Sequence, residues 1–359
     1  MTIQERKKSL KSLGKFLSQF KTGGIVRSDD VLHNEPFFEV LAQLIERAHE
    51  TNPWFTKFNV LYAFEAWASA LQPDKIDRWF DTYNLPDKFH AKTVGVVMAG
   101  NIPLVGFHDF LSVLAAGQRI QVKLSSNDKL LLPVLAKYLI AVAPAYKDKI
   151  NFAEGILNNI DAVIATGSNN TARYFEYYFG KYPHIIRKNR NSIAVLTGNE
   201  TKEQLEGLAD DIMLYFGLGC RNVSKLFVPH DYDFNPVFEA LLKYKDLINY
   251  KKYANNYDYN KAVYLMSVDK DDRNSLIDNG LVLFKKDVHY ASPIGTVFYE
   301  YYNDLEEVKR IIDKDTDKIQ AVVSNATMLE LSIPFGTTQQ PQLWDYADGV
   351  DTMRFLSNL

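Results

Sequence analysis

Between Thr93 and Thr197 the chain alternates short apolar runs rich in β-branched residues with longer stretches of helical spacing. Thr93-Val94-Gly95-Val96-Val97-Met98 reads as a strand, 105–116 as a helix closed by Gly117, and Arg119-Ile120-Gln121-Val122-Lys123-Leu124 as the next strand. The pattern continues with a helix at 129–142, strands at 149–153 and 161–166, a helix at 169–180 and strands at 184–187 and 192–197. Repeated β-α-β units predict a parallel sheet covered by helices, because a crossover long enough to keep strands parallel packs back onto the sheet.

A second block repeats the theme less regularly. It has a helix at 201–215, a strand at 223–228 and further strands near 280–284, 295–301 and 318–323, with helices between. The Tyr/Asn/Lys-rich stretch 249–261 reads as a surface loop. Before residue 90 the sequence is helical, with helices at 36–50 and 58–71 and a shorter one ending near Leu85-Pro86. In the first helix Leu10, Leu13, Phe16, Leu17 and Phe20 share a face, with Lys8, Lys11 and Lys15 interleaved. Such a helix either packs on its own domain or binds a membrane surface or partner. The resulting division is 1–90 helical, 91–200 and 201–336 two α/β domains, and 337–359 a tail.

Composition narrows the partners. A net charge of -3 in 359 residues supplies no basic field for nucleic acid. No apolar run is long enough for an integral membrane segment. Lysines interrupt the N-terminal stretch where a signal peptide needs apolar residues, and a single cysteine cannot form an internal disulfide, so a cytoplasmic location is expected. The seven histidines, at 33, 49, 90, 108, 184, 230 and 289, lack zinc-site spacing, and no metal is expected. Asp269-Lys270-Asp271-Asp272 lacks calcium-loop spacing and reads as a solvated turn.

Chemistry concentrates at four turns. Cys220 lies in Gly217-Leu218-Gly219-Cys220, between a helix and a strand, where glycines free the backbone and a thiol can act as nucleophile. A buried, inert cysteine is the alternative. Asn101 follows Gly100 at the end of the first strand, placed either to donate to an oxyanion or to cap a helix. Lys123, Ser125, Ser126 and Asn127 form a polar strand-to-helix turn suited to a ribose or phosphate, or to capping with Lys123 reaching solvent. Gly167 and Ser168 open a helix whose N-terminus can face a pyrophosphate. The Gly-x-Gly-x-x-Gly dinucleotide fingerprint is absent.

Ala99-Gly100-Asn101-Ile102-Pro103-Leu104, Leu114-Ala115-Ala116-Gly117 through Lys123, Ala165-Thr166-Gly167-Ser168, Gly217-Leu218-Gly219-Cys220 and Ile333-Pro334-Phe335-Gly336 occur in that order. Across residues 90–345 the chain resembles the aldehyde dehydrogenase superfamily, most nearly its acyl-CoA reductase branch, similar to the reductase component of bioluminescence fatty-acid reductases. The resemblance implies an aldehyde-dehydrogenase-like α/β fold of two Rossmann-like parallel-sheet domains, one for cofactor and one catalytic, with the helical N-terminal region attached. It implies Cys220 as nucleophile, Asn101 as oxyanion donor, Lys123, Ser125 and Ser126 at the adenosine ribose or its phosphate, and Gly167 and Ser168 on the pyrophosphate side. A homo-oligomer is implied, and a fatty-acid reductase complex is one setting for it.

Departures from the pattern refine the chemistry. Hydrolytic aldehyde dehydrogenases place a water-activating glutamate where this chain reads Ile186-Arg187-Lys188-Asn189-Arg190-Asn191-Ser192, so release to coenzyme A is favoured over release to water. Arg187, Lys188 and Arg190 are either contacts for coenzyme A phosphates or a solvated charge run. The Ser292-Pro293-Ile294-Gly295 segment lacks the acid that many relatives direct toward the nicotinamide ribose. Ser125-Ser126-Asn127 replaces a ribose-binding glutamate, which favours NADPH while leaving NAD possible. The expected activity is NADPH-dependent reduction of an acyl-CoA to an aldehyde, with coenzyme A as leaving group. Alternatives are a cofactor-independent cysteine acyltransferase or thioesterase and a non-catalytic scaffold of the same fold. The tail Gln342–Asp351 is left between the cofactor mouth and a neighbouring subunit.

Overall fold

A computed structural model describes residues 1–87, 90–267 and 275–359. They form two compact units, one of residues 1–189 with 341–359 and one of residues 190–340.

The first unit begins with α1 (Ile3–Leu17), opened by a reciprocal cap in which Thr2 Oγ1 accepts the Glu5 N–H and Glu5 accepts the Thr2 N–H. A short hairpin, β1 (Phe20–Lys21) and β2 (Gly24–Ile25), leads to α2 (Glu35–Thr51), α3 (Lys57–Ala70) and α4 (Pro73–Asp81). Leu10, Leu13, Phe16, Leu17 and Phe20 are all fully buried. The amphipathic face of α1 is therefore covered by its own unit, and the surface-helix alternative does not hold. Phe16 stacks on Tyr138 at 4.1 Å between ring centres.

Five parallel strands follow: β3 (Thr93–Val97), β4 (Arg119–Lys123), β5 (Ile150–Phe152), β6 (Ala162–Thr166) and β7 (His184–Arg187). They lie in the order β5-β4-β3-β6-β7, interleaved in sequence with α5 (Phe107–Ala115), α6 (Leu131–Val142) and α7 (Asn169–Phe179). The chain winds outward through β4 and β5, then crosses to the other side of β3. That reversal opens a crevice at the carboxyl ends of β3 and β6.

The second unit holds β8 (Asn191–Val195), α8 (Lys202–Met213), β9 (Val223–Pro229), α9 (Asn235–Leu241), α10 (Lys251–Ser267), β10 (Leu276–Asp278), β11 (Leu283–Lys286), β12 (Thr296–Tyr302), α11 (Leu305–Lys314) and β13 (Ile319–Val323). Its sheet runs β10-β11-β12-β9-β8-β13, parallel except for the antiparallel edge strand β10.

Two expectations need correction. The division expected at 200/201 falls at 189/190, because Asn191–Val195 pairs with β9 and β13 of the second sheet. The stretch 249–261 is largely helix α10, not loop: Tyr253 and Tyr257, one turn apart, bury their rings, and their hydroxyls bond to Leu281 O and the Asp278 carboxylate. Aromatic residues at helical spacing outweighed the polar ones between them. The tail packs on the first unit, where Tyr346 Oη accepts the Trp79 indole N–H at 2.7 Å, Trp344 lies under Arg78, and Leu343, Met353 and Leu356 enter the core. Asp269-Lys270-Asp271-Asp272 lies outside the described residues. Among the described residues no helix is long and apolar enough to cross a membrane.

Candidate active site

The first unit gathers three of the four turns at one edge of its sheet. Val97 of β3 is paired with Lys123 of β4 and with Ala165 of β6, so the segments following these strands emerge side by side. They carry Gly100-Asn101, Ser125-Ser126-Asn127 and Gly167-Ser168. A Cβ on Gly100 would lie 2.5 Å from Ser125 Oγ, so only glycine lets the first two turns close on each other. Asn52, unremarkable in sequence, donates to the carbonyls of Gly100 and Asn127 at 3.4 and 3.3 Å and ties them together. Asn101 and Ser126 are exposed at this edge. Lys123 Nζ donates to the Glu154 carbonyl at 3.0 Å, and Ser125 Oγ accepts the Asn127 N–H. Ser168 caps α7 by accepting the Thr171 N–H, which leaves the helix start at the crevice.

Asp128 supports this edge from beneath. Its Oδ2 accepts the N–H of Leu104, a residue held in the left-handed region at φ 57°, while Oδ1 is buried without a partner. Burial pushes its carboxyl up to about 6.

In the second unit Cys220 is exposed and lies before the amino end of β9, not at a carboxyl edge. The chain leaves α8 through Tyr215 (φ 53°, ψ 25°), Phe216 (φ 59°, ψ 25°) and Gly217 (φ 73°), three successive residues in the left-handed region. Each non-glycine residue there costs on the order of 1 kcal/mol and persists only where its surroundings over-determine it. Tyr215 and Phe216 are buried, with Phe216 stacked on Tyr250 at 5.3 Å. Buried Asn222 closes the turn: its Oδ1 accepts the Gly219 N–H at 2.8 Å, and its Nδ2 faces the carbonyls of Leu214 at 2.8 Å and Asp211 at 3.0 Å. Ser192 Oγ donates to the Cys220 carbonyl at 3.1 Å.

Two further sequence segments converge on this turn. Ser292-Pro293-Ile294-Gly295 lines, with Phe216, Gly217 and Ser224, a cavity of about 20 Å³, enough for one water. Asp211, near the end of α8, accepts the N–H groups of Gly336 and Thr338 and the Thr338 hydroxyl, which fixes the end of Ile333-Pro334-Phe335-Gly336 against α8. Burial raises the Asp211 carboxyl to about 6 against those three donors.

Arg187 does not serve a coenzyme A phosphate: it is buried, paired with Asp109 of α5, and donates to Thr352 Oγ1 at 3.0 Å. Lys188 forms an exposed pair with Glu176, and Arg190 donates to the Thr316 carbonyl. Asn52, Asp128, Asp211 and Asn222 all escaped the sequence reading. For Asn222 a signal existed, a polar residue two places after the cysteine and directly before a buried strand.

Solved structures place the fold. Aldehyde dehydrogenase 21 from Physcomitrella patens, in complex with the reaction product succinate, matches 100% of this chain and 84% of its own at a TM-score of 0.65 and 12% identity. An NAD-dependent aldehyde dehydrogenase from Sinorhizobium meliloti matches 92% of this chain and 72% of its own at 0.63 and 12% identity. The P. syringae indole-3-acetaldehyde dehydrogenase, in complex with NAD+ and IAA, matches 92% and 74% at 0.62 and 15% identity. The fold is therefore that of the aldehyde dehydrogenases. No curated protein matches the chain. The acyl-CoA reductase (LuxC) family model matches residues 69–322, most of the sequence, and the chain belongs to that family. It is an oxidoreductase of the acyl-CoA reductase class.

Proposed function

We propose that the protein reduces an acyl-CoA thioester to an aldehyde through a Cys220 acyl-enzyme, with NADPH as reductant. The observation that carries the reading is the exposed thiol at the end of a strained, left-handed turn in an acyl-CoA reductase family member. As thiolate, Cys220 attacks the thioester carbonyl, and the coenzyme A thiolate departs and takes a proton. The Asn101 amide and a backbone N–H stabilise the oxyanion. NADPH, which Lys123, Ser125, Ser126, Gly167 and Ser168 would hold, would supply the hydride that takes the acyl group to the aldehyde level; Cys220 carries that group on its sulfur and is freed as thiolate when the C–S bond breaks.

The residues present suit a nucleotide at the β3/β6 crevice. Close-packed Gly100 keeps the first turn low, Ser125 and Ser126 offer hydroxyls, Lys123 brings a cation, and the α7 N-terminus faces the same edge. Stretch 186–192 contains no carboxylate to activate water, which favours reductive over hydrolytic release. The test is spectrophotometric: NADPH oxidation with acyl-CoAs of graded length, with trapping of the aldehyde. Wild type should consume NADPH, and Cys220→Ala should not. Acyl-CoA hydrolysis without NADPH oxidation would identify a thioesterase instead.

A further inference from the structure

We infer that Asn222 is a positioning residue for the Cys220 thiol, an inference that rests on the nucleophile reading above and names the side chain that holds the nucleophile's turn. The last carbonyls of a helix have no partners within it, and here Asn222 Nδ2 supplies donors to the carbonyls of Asp211, at 3.0 Å, and of Leu214 just beyond the helix, at 2.8 Å. Its Oδ1 at the same time holds the Gly219 N–H, the donor immediately before Cys220, at 2.8 Å. One buried carboxamide thus spans both ends of the left-handed segment Tyr215–Gly217.

No other side chain of this size does both jobs. Aspartate keeps the acceptor and loses the donors, serine is too short, and leucine has neither. Without the amide, buried carbonyls and an N–H lose their partners and the strained turn is free to relax, carrying the sulfur with it. Asn222 reaches the reaction through the placement of Cys220, not by touching substrate.

The experiment compares full-length wild type, Asn222→Ala, Asn222→Asp and Cys220→Ala by thermal melting, by the rate of Cys220 alkylation with iodoacetamide, and by kcat and KM with an acyl-CoA and NADPH. Asn222→Ala should stay folded and lose kcat by about 10- to 100-fold, the range a displacement near 1 Å produces. Both KM values should stay within about twofold, and the alkylation rate should change. Asn222→Asp should retain part of kcat in acid and lose it as its carboxyl ionises against the Leu214 carbonyl. If the alanine variant does not fold, the isosteric aspartate variant carries the test by the same readouts. A folded variant with wild-type kcat and alkylation overturns the inference, as does failure of both to fold, which would make the role purely structural. If Cys220→Ala is inactive while Asn222→Ala is normal, only this inference falls. If Cys220→Ala retains full reductase activity, the nucleophile reading fails and takes this inference with it.

Discussion

A Cβ placed on Gly207 would stand 2.9 Å from the backbone nitrogen of Gly336, so α8 and the 333–338 segment meet backbone to backbone. Gly336 itself sits at φ 79°, where other residues are strained, and its N–H is held by Asp211, one helical turn beyond Gly207. The helix that leads into the Cys220 turn thereby also anchors the 333–338 segment of its own unit through two positions on one face.

Gly207→Ala should therefore force α8 and this segment apart. Overpacking against backbone typically costs about 1–3 kcal/mol, and the loss should appear in chemical denaturation. An unchanged midpoint would mean that the segment yields without cost.

Arg187 and Asp109 form a buried pair, and Arg187→Ala leaves the aspartate charge without its partner. A loss of about 3–5 kcal/mol is expected in equilibrium unfolding, because the desolvated carboxylate is then uncompensated. Arg187→Met with Asp109→Leu should cost less than the single substitution. A smaller cost for the single variant would contradict the burial.

The Asp128 carboxyl, raised to about 6 by burial, binds its proton more tightly in the folded chain than in the unfolded one. Its contribution to stability is thus present in acid and is lost as pH rises from about 4 through about 6. The shift corresponds to about 3 kcal/mol at most. Asp128→Asn keeps an acceptor for the Leu104 N–H and cannot ionise, so the difference in stability between variant and wild type should grow in the variant's favour over that window. A pH-independent difference would show that Asp128 does not titrate there.

Asn101→Ala should lower kcat by about 10²–10³-fold, the usual effect of removing one oxyanion donor. Cys220 alkylation should proceed at the wild-type rate, since the thiol's own turn is intact. A loss of alkylation together with kcat would instead assign Asn101 to the organisation of the thiol.

Lys123→Ala should raise KM for NADPH by about tenfold while changing that for NADH much less, because a phosphate gains more from a nearby cation than a hydroxyl does. The ratio of the two kcat/KM values reads this directly. An equal effect on both cofactors would place Lys123 at a part of the nucleotide they share, or make its bond to the Glu154 carbonyl purely structural.

Local periodicity and turn chemistry made much of the architecture legible. The strands from Thr93 to Val195, the helix start after Gly167-Ser168 and the apolar spacing of α1 are all marked by residues within a few positions of one another. The same signals located Cys220, Asn101, Ser125 and Gly167 at turns, because glycine and small polar residues mark places where the backbone must bend. Tertiary structure alone decided that Tyr253 and Tyr257 form a helix face, that the tail returns to the first unit, and that Arg187 is buried against Asp109. It alone assigned Asn52, Asp128, Asp211 and Asn222 to the supports of those turns. The difference is physical: periodicity records which face of an element is apolar, whereas the partner of a buried polar group is chosen by whatever distant backbone the fold brings within hydrogen-bonding reach.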